Sequence, residues 1–479
     1  MSARHLLRSL FLLLSVVGPA AALEFQPLGF ESISMGGAGV ASARGSMAAY
    51  YNPALLAKSP HAAEANLGLG VAIKEYNLVD PVNRLSEMDL DRTFDRMGDN
   101  VNFSTGQASP NSAQDRQNIR EMQQIITGLG TDNGFWMGPS GSLGLQIGGV
   151  SIGAFALTDV AGRAVVSPTH NQLLFYDQEN IRGTAADIYF QYDPGIPGDP
   201  TRPERYTYNA YYAGTNNSMG DQGYVGSFSY DASLTPQVYQ NTSLQYAIEN
   251  PDTTGVEVRG IGLVEVPVSY ARRLPFLAGN LAVGASLKYM RGITYYQRLN
   301  IDSPDSDLAD AFDQNGRTSS AFGVDVGALY QPPLVSQLSA GLVIKNLNSP
   351  SFDIATAAGG TEKLEVKPMA RAGAAFSLGK LNLAGDLDLT ENDTADGRGS
   401  RYLGLGLDYQ PASWFSLRGG LARNLADSYH GNIFTAGLGF GVKRVQLDVA
   451  AQWSTKRVTV KGDEYPAYGK VNLALVSRW

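Results

Sequence analysis

Beyond residue 62 the chain alternates apolar and polar positions with period two, the mark of strands exposed differently on their two faces. In 65–74 the apolar set is Ala65, Leu67, Leu69, Val71 and Ile73, set against Asn66, Gly68, Gly70, Ala72 and Lys74. The pattern recurs with Leu281, Val283, Leu287 and Tyr289 against Ser286 and Lys288, and with Phe322, Val324 and Val326 against Gly323 and Asp325. Leu403, Leu405 and Leu407 oppose Asp408, and Phe434, Leu438 and Phe440 oppose a glycine row. Val445, Leu447 and Val449 oppose Gln446 and Asp448, and the chain ends on Val471, Leu473, Leu475 and Trp479. Each run is about ten residues long, the length a tilted strand needs to cross a hydrocarbon core.

A soluble sandwich turns the apolar parity toward a packed core, whereas a membrane barrel turns it toward lipid, and periodicity alone does not separate them. Connection lengths do. About fourteen strands are expected, joined alternately by long and short links. The short ones are Gly148-Gly149, Arg272-Arg273-Leu274-Pro275, Gln331-Pro332-Pro333, Leu378-Gly379-Lys380, Gln410-Pro411-Ala412 and Val442-Lys443-Arg444. The long ones include inserts at about 77–139 and 161–257. Short periplasmic turns alternating with long extracellular loops is the rule of outer-membrane barrels. The expected fold is therefore all-β, a transmembrane antiparallel β-barrel over residues 63–479. Tyr270, Tyr330, Phe376, Tyr409 and Phe440 close strands on the short-turn side, where an interfacial aromatic girdle belongs. Helices are expected over 86–98 and 112–130, started by Ser86 and Ser112, as a hairpin over the barrel mouth. The tyrosine-rich stretch 204–246 reads as a folded surface loop or as an apolar, wet entry surface.

Composition narrows the class further. Among 479 residues there are 54 glycines and no cysteine, and the net charge of −8 gives no basic bias toward nucleic acid. At the start, Arg4 and Arg8 precede an apolar run at 10–18 and the small residues Ala20-Ala21-Ala22. That order reads as a signal peptide over 1–22, cleaved after Ala22 for export toward the bacterial outer membrane. The last strand ends on Trp479, which resembles the C-terminal signal that bacterial barrels offer their assembly machinery.

Catalysis has little support. His61, His170 and His430 lie far apart, and no Cys/His/carboxylate spacing points to a metal site. No cofactor and no enzymatic activity are expected. The inward parity carries Lys288, Lys345, Arg371 and Arg418 together with Glu265, Asp325, Asp386, Asp388, Asp408 and Asp448. One reading makes these cross-strand pairs that fill the lumen. The other gives Lys288, Lys345, Arg371 or Arg418 the anionic head group of a ligand.

Ahead of the strands lies Met35-Gly36-Gly37-Ala38-Gly39-Val40, then Tyr50-Tyr51-Asn52-Pro53-Ala54-Leu55-Leu56-Ala57. By itself it reads as a compact loop that seals one edge of a domain, or as something functional, with Asn52 capping a short helical turn opened by Pro53. Together with residues 30–34, this stretch resembles the N-terminus of the FadL-type long-chain fatty-acid transporter superfamily. More closely it resembles the branch of TraF-type conjugal transfer proteins. The resemblance implies a plug, or hatch, over residues 23–62 inside the barrel, with Gly36, Gly37 and Gly39 as its flexible turn and Asn52, Pro53 and Ala54 as hatch residues. It implies passive uptake of hydrophobic compounds, released sideways through a strand kink once the hatch moves, with outer-membrane lipid and an apolar ligand as partners. The TraF-type branch carries the alternative of a non-transporting envelope component serving conjugation.

Overall fold

The computed structural model describes residues 23–58, 62–88, 133–165, 255–274, 280–299, 316–356, 360–395, 397–442, 444–460 and 462–479. It also describes scattered positions between 92 and 129 and the backbone of strands at 186–193, 205–212 and 224–231. The expected signal segment 1–22, His61 and His170 lie outside the described residues.

The strands are β1 (Ala63–Tyr76), β2 (Gly134–Met137 continued by Ser140–Ile147), β3 (Val150–Val165), β4 (Gly255–Leu274), β5 (Asn280–Leu299), β6 (Arg317–Gln331) and β7 (Leu338–Lys345). They continue as β8 (Met369–Leu378), β9 (Leu381–Asp388), β10 (Tyr402–Ala412), β11 (Phe415–Asn424), β12 (Asn432–Val442), β13 (Val445–Ser454) and β14 (Tyr468–Arg478). Every strand pairs antiparallel with its sequence neighbours, and β14 pairs back onto β1 from Lys74↔Tyr468 to Glu64↔Arg478. The strand order therefore closes into a ring with no terminal edge strand, the arrangement by which a sheet spans lipid.

The parity is that of a membrane barrel. Leu69 is 66% exposed, Leu405 52% and Leu473 53%, whereas their inward neighbours Lys74, Asp408 and Asn472 are each at most 3% exposed. An apolar outer wall over a charged, buried interior is the reverse of a soluble sandwich. Tyr270, Tyr330, Tyr409 and Phe440 face outward at the short-turn ends, as expected. Among the described residues no helix is long and apolar enough to cross a membrane.

Two details differ from the expectation. Strands β4 and β10 run through residues expected as turns, to Leu274 and Ala412, and β10 does so with a register irregularity between Tyr409 and Ala412. A helix covers Val79–Glu87, earlier than expected, with Ser86 in its last turn, and of the expected 86–98 residues 89–91 and 93–98 lie outside the described residues. The cause is Glu75: its carboxylate accepts the backbone N–H groups of Asn77, Leu78 and Val79 at 2.6–3.0 Å, capping the helix from the preceding strand. Arg84 of this helix pairs with Glu121 at 2.8 Å, which ties it to the second expected helical stretch. The tyrosine-rich insert forms a separate three-stranded antiparallel sheet.

The outward wall yields a direct test. Leu405→Arg on the lipid face is expected to destabilise the barrel by about 2–4 kcal/mol, read as a lower urea midpoint for the heat-dependent gel shift in lipid vesicles.

Candidate functional site: the filled lumen

Residues 23–58 fold inside the ring as a series of short turns: α1 (Phe30–Ser34), α2 (Ala48–Tyr51) and 3-10 turns at Gly45–Met47 and Pro53–Lys58. Local chemistry explains these elements. Asn52 Oδ1 accepts the Ala54 N–H at 3.0 Å, which caps the turn that Pro53 opens. Tyr51 Oη both accepts the Leu28 N–H and donates to the Leu28 carbonyl, while Tyr50 donates to Gln26, so the chain is folded back on itself. Phe25, Tyr50, Tyr51 and Phe155 form one edge-packed aromatic group at its centre.

The wall holds this segment chiefly by its backbone. Asp386 Oδ2 accepts the N–H groups of Gly39 at 2.7 Å and Val40 at 2.9 Å. Thr435 accepts from Gly36 and donates to Ser34, and Gln452 donates to Ile33. Asn52 Nδ2 donates both to Val40 and, across to β6, to Ala328. Gly36 is required where it stands: its φ is +69°, and a Cβ there would run into the backbone of Leu405 and Leu421. On the wall, a Cβ at Gly404 would strike the Gly36 carbonyl, so the inward glycine row is the groove in which the segment lies.

The expected lumen charges all face inward and are buried. Lys288 contacts Asp325 at 2.9 Å, Glu265 at 3.3 Å and Asn346 at 2.6 Å. Arg371 pairs with Asp388 and stacks 3.9 Å over the Phe25 ring. Arg418 bridges Asp448 at 2.7 Å and Asp408 at 3.2 Å. Lys345 lies 4.0 Å from Glu265 and 3.6 Å from the Tyr50 ring centroid. All four candidate head-group cations thus already have an anionic or aromatic neighbour of this chain.

Sequence reasoning put Lys74 on the polar parity without counting it among the lumen charges, and missed Lys470, which shares that parity. Lys74 pairs with Glu24 at 2.9 Å. Lys470 donates to the Pro27 carbonyl at 2.7 Å, and among the described residues no carboxylate lies within bridging distance of it. It lines a cavity of about 20 Å³ with Trp136, Tyr402, Ile433, Gly36 and Gly37, room for roughly one water. Also missed was Gly149-Val150-Ser151-Ile152-Gly153, which has nucleophile-elbow spacing. Ser151, however, sits in the β3 ladder and donates to the Leu145 carbonyl, not at a strand-to-helix turn. His430 is packed among the rings of Tyr76, Tyr429 and Tyr468. Trp479 is half exposed at the end of β14 and exchanges backbone hydrogen bonds with Ala63.

The wall ladder is interrupted between β3 and β4 at Val266-Pro267, between β6 and β7 outside Val326–Tyr330, and between β2 and β3 at Pro139. Registers on both sides run unbroken through Gly138-Pro139, which sets Pro139 opposite Thr158. Gly138 exchanges its hydrogen bonds with Ala72 of β1, so the backbone of Pro139 faces β3, and proline has no N–H to give. The Thr158 carbonyl is satisfied instead by Gln26 Nε2 of the N-terminal segment at 3.1 Å.

A closed fourteen-stranded wall, apolar outside and charged within, with residues 23–58 seated in the lumen, defines an outer-membrane β-barrel with an internal plug. The chain belongs to the family of the F plasmid transfer operon TraF protein, whose model matches residues 49–388. No curated protein sequence matches it. Among solved structures, it is similar to the toluene transporter TbuX of Ralstonia pickettii, with 14% identity, a TM-score of 0.46, and coverage of 95% of this chain and 99% of that one. The toluene transporter TodX of Pseudomonas putida has 12% identity, a TM-score of 0.42, and coverage of 96% and 99%. A FadL homologue of Pseudomonas aeruginosa has 11% identity, a TM-score of 0.44, and coverage of 94% and 100%.

Two stability predictions follow from the lumen. Lys288→Met strands two buried carboxylates and is expected to cost about 3–5 kcal/mol, whereas Lys470→Met removes an ammonium without a bridging carboxylate and is expected to cost about 1 kcal/mol or less. Urea midpoints of the folded barrel compare the two. The second concerns Glu31, whose ionisation burial opposes but Arg44, Arg478 and Arg418 favour, holding its carboxyl below the ordinary value. A lowered pKa contributes stability above the ordinary carboxylate range, and that contribution is lost as pH falls through the folded pKa. Melting of the wild type at neutral and acid pH is therefore expected to show a loss that Glu31→Gln reduces.

Proposed function

We propose that this protein is an outer-membrane channel for passive uptake of hydrophobic compounds, long-chain fatty acids among them, gated by the N-terminal segment. The observation that supports this reading is the seam at Pro139. There the wall between β2 and β3 lacks a ladder bond, and the side chain that completes it, Gln26, belongs to the segment filling the lumen. Withdrawal of that segment opens the lumen and weakens this seam in one movement, which leads an apolar molecule sideways into lipid. On this reading Gly36, Gly37 and Gly39 form the turn that moves, with Asn52, Pro53 and Ala54 as its fixed end. Outer-membrane lipid is the surrounding partner. Residues 1–22 are the exported signal and Trp479 is the signal for barrel assembly.

A second reading is a permanently closed envelope component that serves conjugation. It is favoured by the TraF family match and by the small size of the cavity beside the plug. The two separate in one strain set. Asp386→Ala, which frees the Gly39 and Val40 amides, is expected to raise uptake of radiolabelled oleate, and deletion of the gene to lower it. Unchanged oleate uptake in both strains, with plasmid transfer impaired by the deletion, would establish the second reading instead.

A further inference from the structure

The loop that joins β9 to β10 folds back over the lumen instead of standing free of it. Asn392, Thr394, Ala395 and Ser400 are each at most 3% exposed. The Ala395 N–H reaches both carboxylate oxygens of Asp159 on β3 at 3.3 Å, and β3 stands almost across the ring from β9 and β10. Asp159 also accepts the Trp136 indole N–H at 2.5 Å, so one buried carboxylate holds both a wall indole and the loop. Further ties hold the loop: Lys367 pairs with Asp393 at 2.7 Å, Arg398 with Asp427 at 3.8 Å, and Asn424 Nδ2 donates to the Gly399 carbonyl at 2.9 Å. The Arg398 guanidinium lies 3.8 Å over the Tyr76 ring, and Ser400 donates to Glu24 of the N-terminal segment at 3.2 Å.

Beneath the loop, Ala395 packs into a cluster with Trp136, Ala161, Ala422, Ile433 and Tyr468. Several of these residues also line the small cavity floored by Gly36 and Gly37. An interior selected only for stability fills such a space with larger aliphatic side chains. Here Ala72, Ala161 and Ala422 stand beside Trp136, Ile433 and Tyr468, Ala395 packs against this group, and the adjoining cavity is bordered also by Glu24, Arg371, Asp386 and Lys470. Lifting the loop exposes an indole and an isoleucine, which water disfavours and an apolar molecule of comparable size covers.

We propose that residues 392–395 and 397–400 form a strap across the lumen, latched on Asp159, that closes an apolar binding slot in series with the N-terminal plug. The inference rests on the channel reading. A ligand shifts the strap because only the lifted state offers it Trp136, Ile433 and Tyr468. The Asp159 latch shares no residue with the Asp386 contacts that hold the plug, and Ser400 to Glu24 is the direct tie between the two closures.

The chain has no cysteine, so an engineered pair is the only thiol chemistry present. In Asp159→Cys/Ala395→Cys the oxidised protein ties the strap to the wall, and reduction leaves the strap without its latch. The probe is N-phenyl-1-naphthylamine, whose fluorescence rise is followed in intact cells producing each variant at equal folded amounts, checked by the heat-dependent gel shift. Reduction is expected to raise the initial rate several-fold over wild type, and oxidation to bring it to wild type or below. Ala395→Pro, which removes the donated N–H and leaves Asp159 in place, is expected to match the reduced state and serves if the double variant does not fold. Equal rates in the oxidised and reduced protein, or a wild-type rate in Ala395→Pro, while Asp386→Ala raises entry, would overturn the strap and leave the channel standing. No response in any variant, Asp386→Ala included, would bring down the channel reading and the strap with it.

Discussion

Everything in this molecule follows from closing a sheet on itself with its polar parity inside. The closed ladder leaves no edge for the backbone, and lipid takes the apolar face without further help. The interior face then carries charges that water cannot reach freely, and each must find a partner from the same chain. Lys288 with Asp325 and Glu265, and Arg418 with Asp408 and Asp448, meet that need within the wall. Asp386 meets it by gripping amides of the N-terminal segment, and Lys74 by reaching Glu24. The segment is therefore part of the electrostatic solution of the barrel as well as a stopper in it.

Much of the architecture was legible because a one-residue slip in a strand moves every side chain to the other face. The alternation of Leu403, Leu405 and Leu407 with Asp408 admits only one orientation once the outside is lipid, and the inward charge list followed from it. Partner identity did not follow. The register sets Lys345 opposite Met369, and the carboxylate it reaches is Glu265 on β4, a strand not adjacent to its own. Asp386 looks toward a backbone 347 residues earlier, which no pattern of side chains encodes.

The same limit explains the remaining differences. Glu75 reads as one more strand residue, and only in the fold does its carboxylate cap the helix at Val79. Lys74 was left out of the lumen charges and Lys470 passed over because their polar-parity neighbours are mainly glycine, asparagine and alanine, which draw little attention to charge. Pro139 lies within a strand, where its effect depends on which neighbour its missing N–H faces. The register turns it toward Thr158, and that choice makes Gln26 of the N-terminal segment a structural member of the wall.

The contacts that seat the segment also define what moving it involves. Most are single hydrogen bonds from wall side chains to its backbone: Asp386 to Gly39 and Val40, Thr435 to Gly36, Gln452 to Ile33 and Lys470 to Pro27. Such groups are satisfied equally well by water once the lumen is wet, so their net contribution is far smaller than their number suggests. The resistance that water does not replace is the close packing of Gly36 against Gly404 and the aromatic group around Tyr50 and Tyr51. The glycine contact ends within a small displacement, because it depends on backbone-to-backbone approach. The aromatic group also couples the two ends of the segment, because Gly39 lies against the Tyr51 ring and Asn52 donates to the Val40 carbonyl.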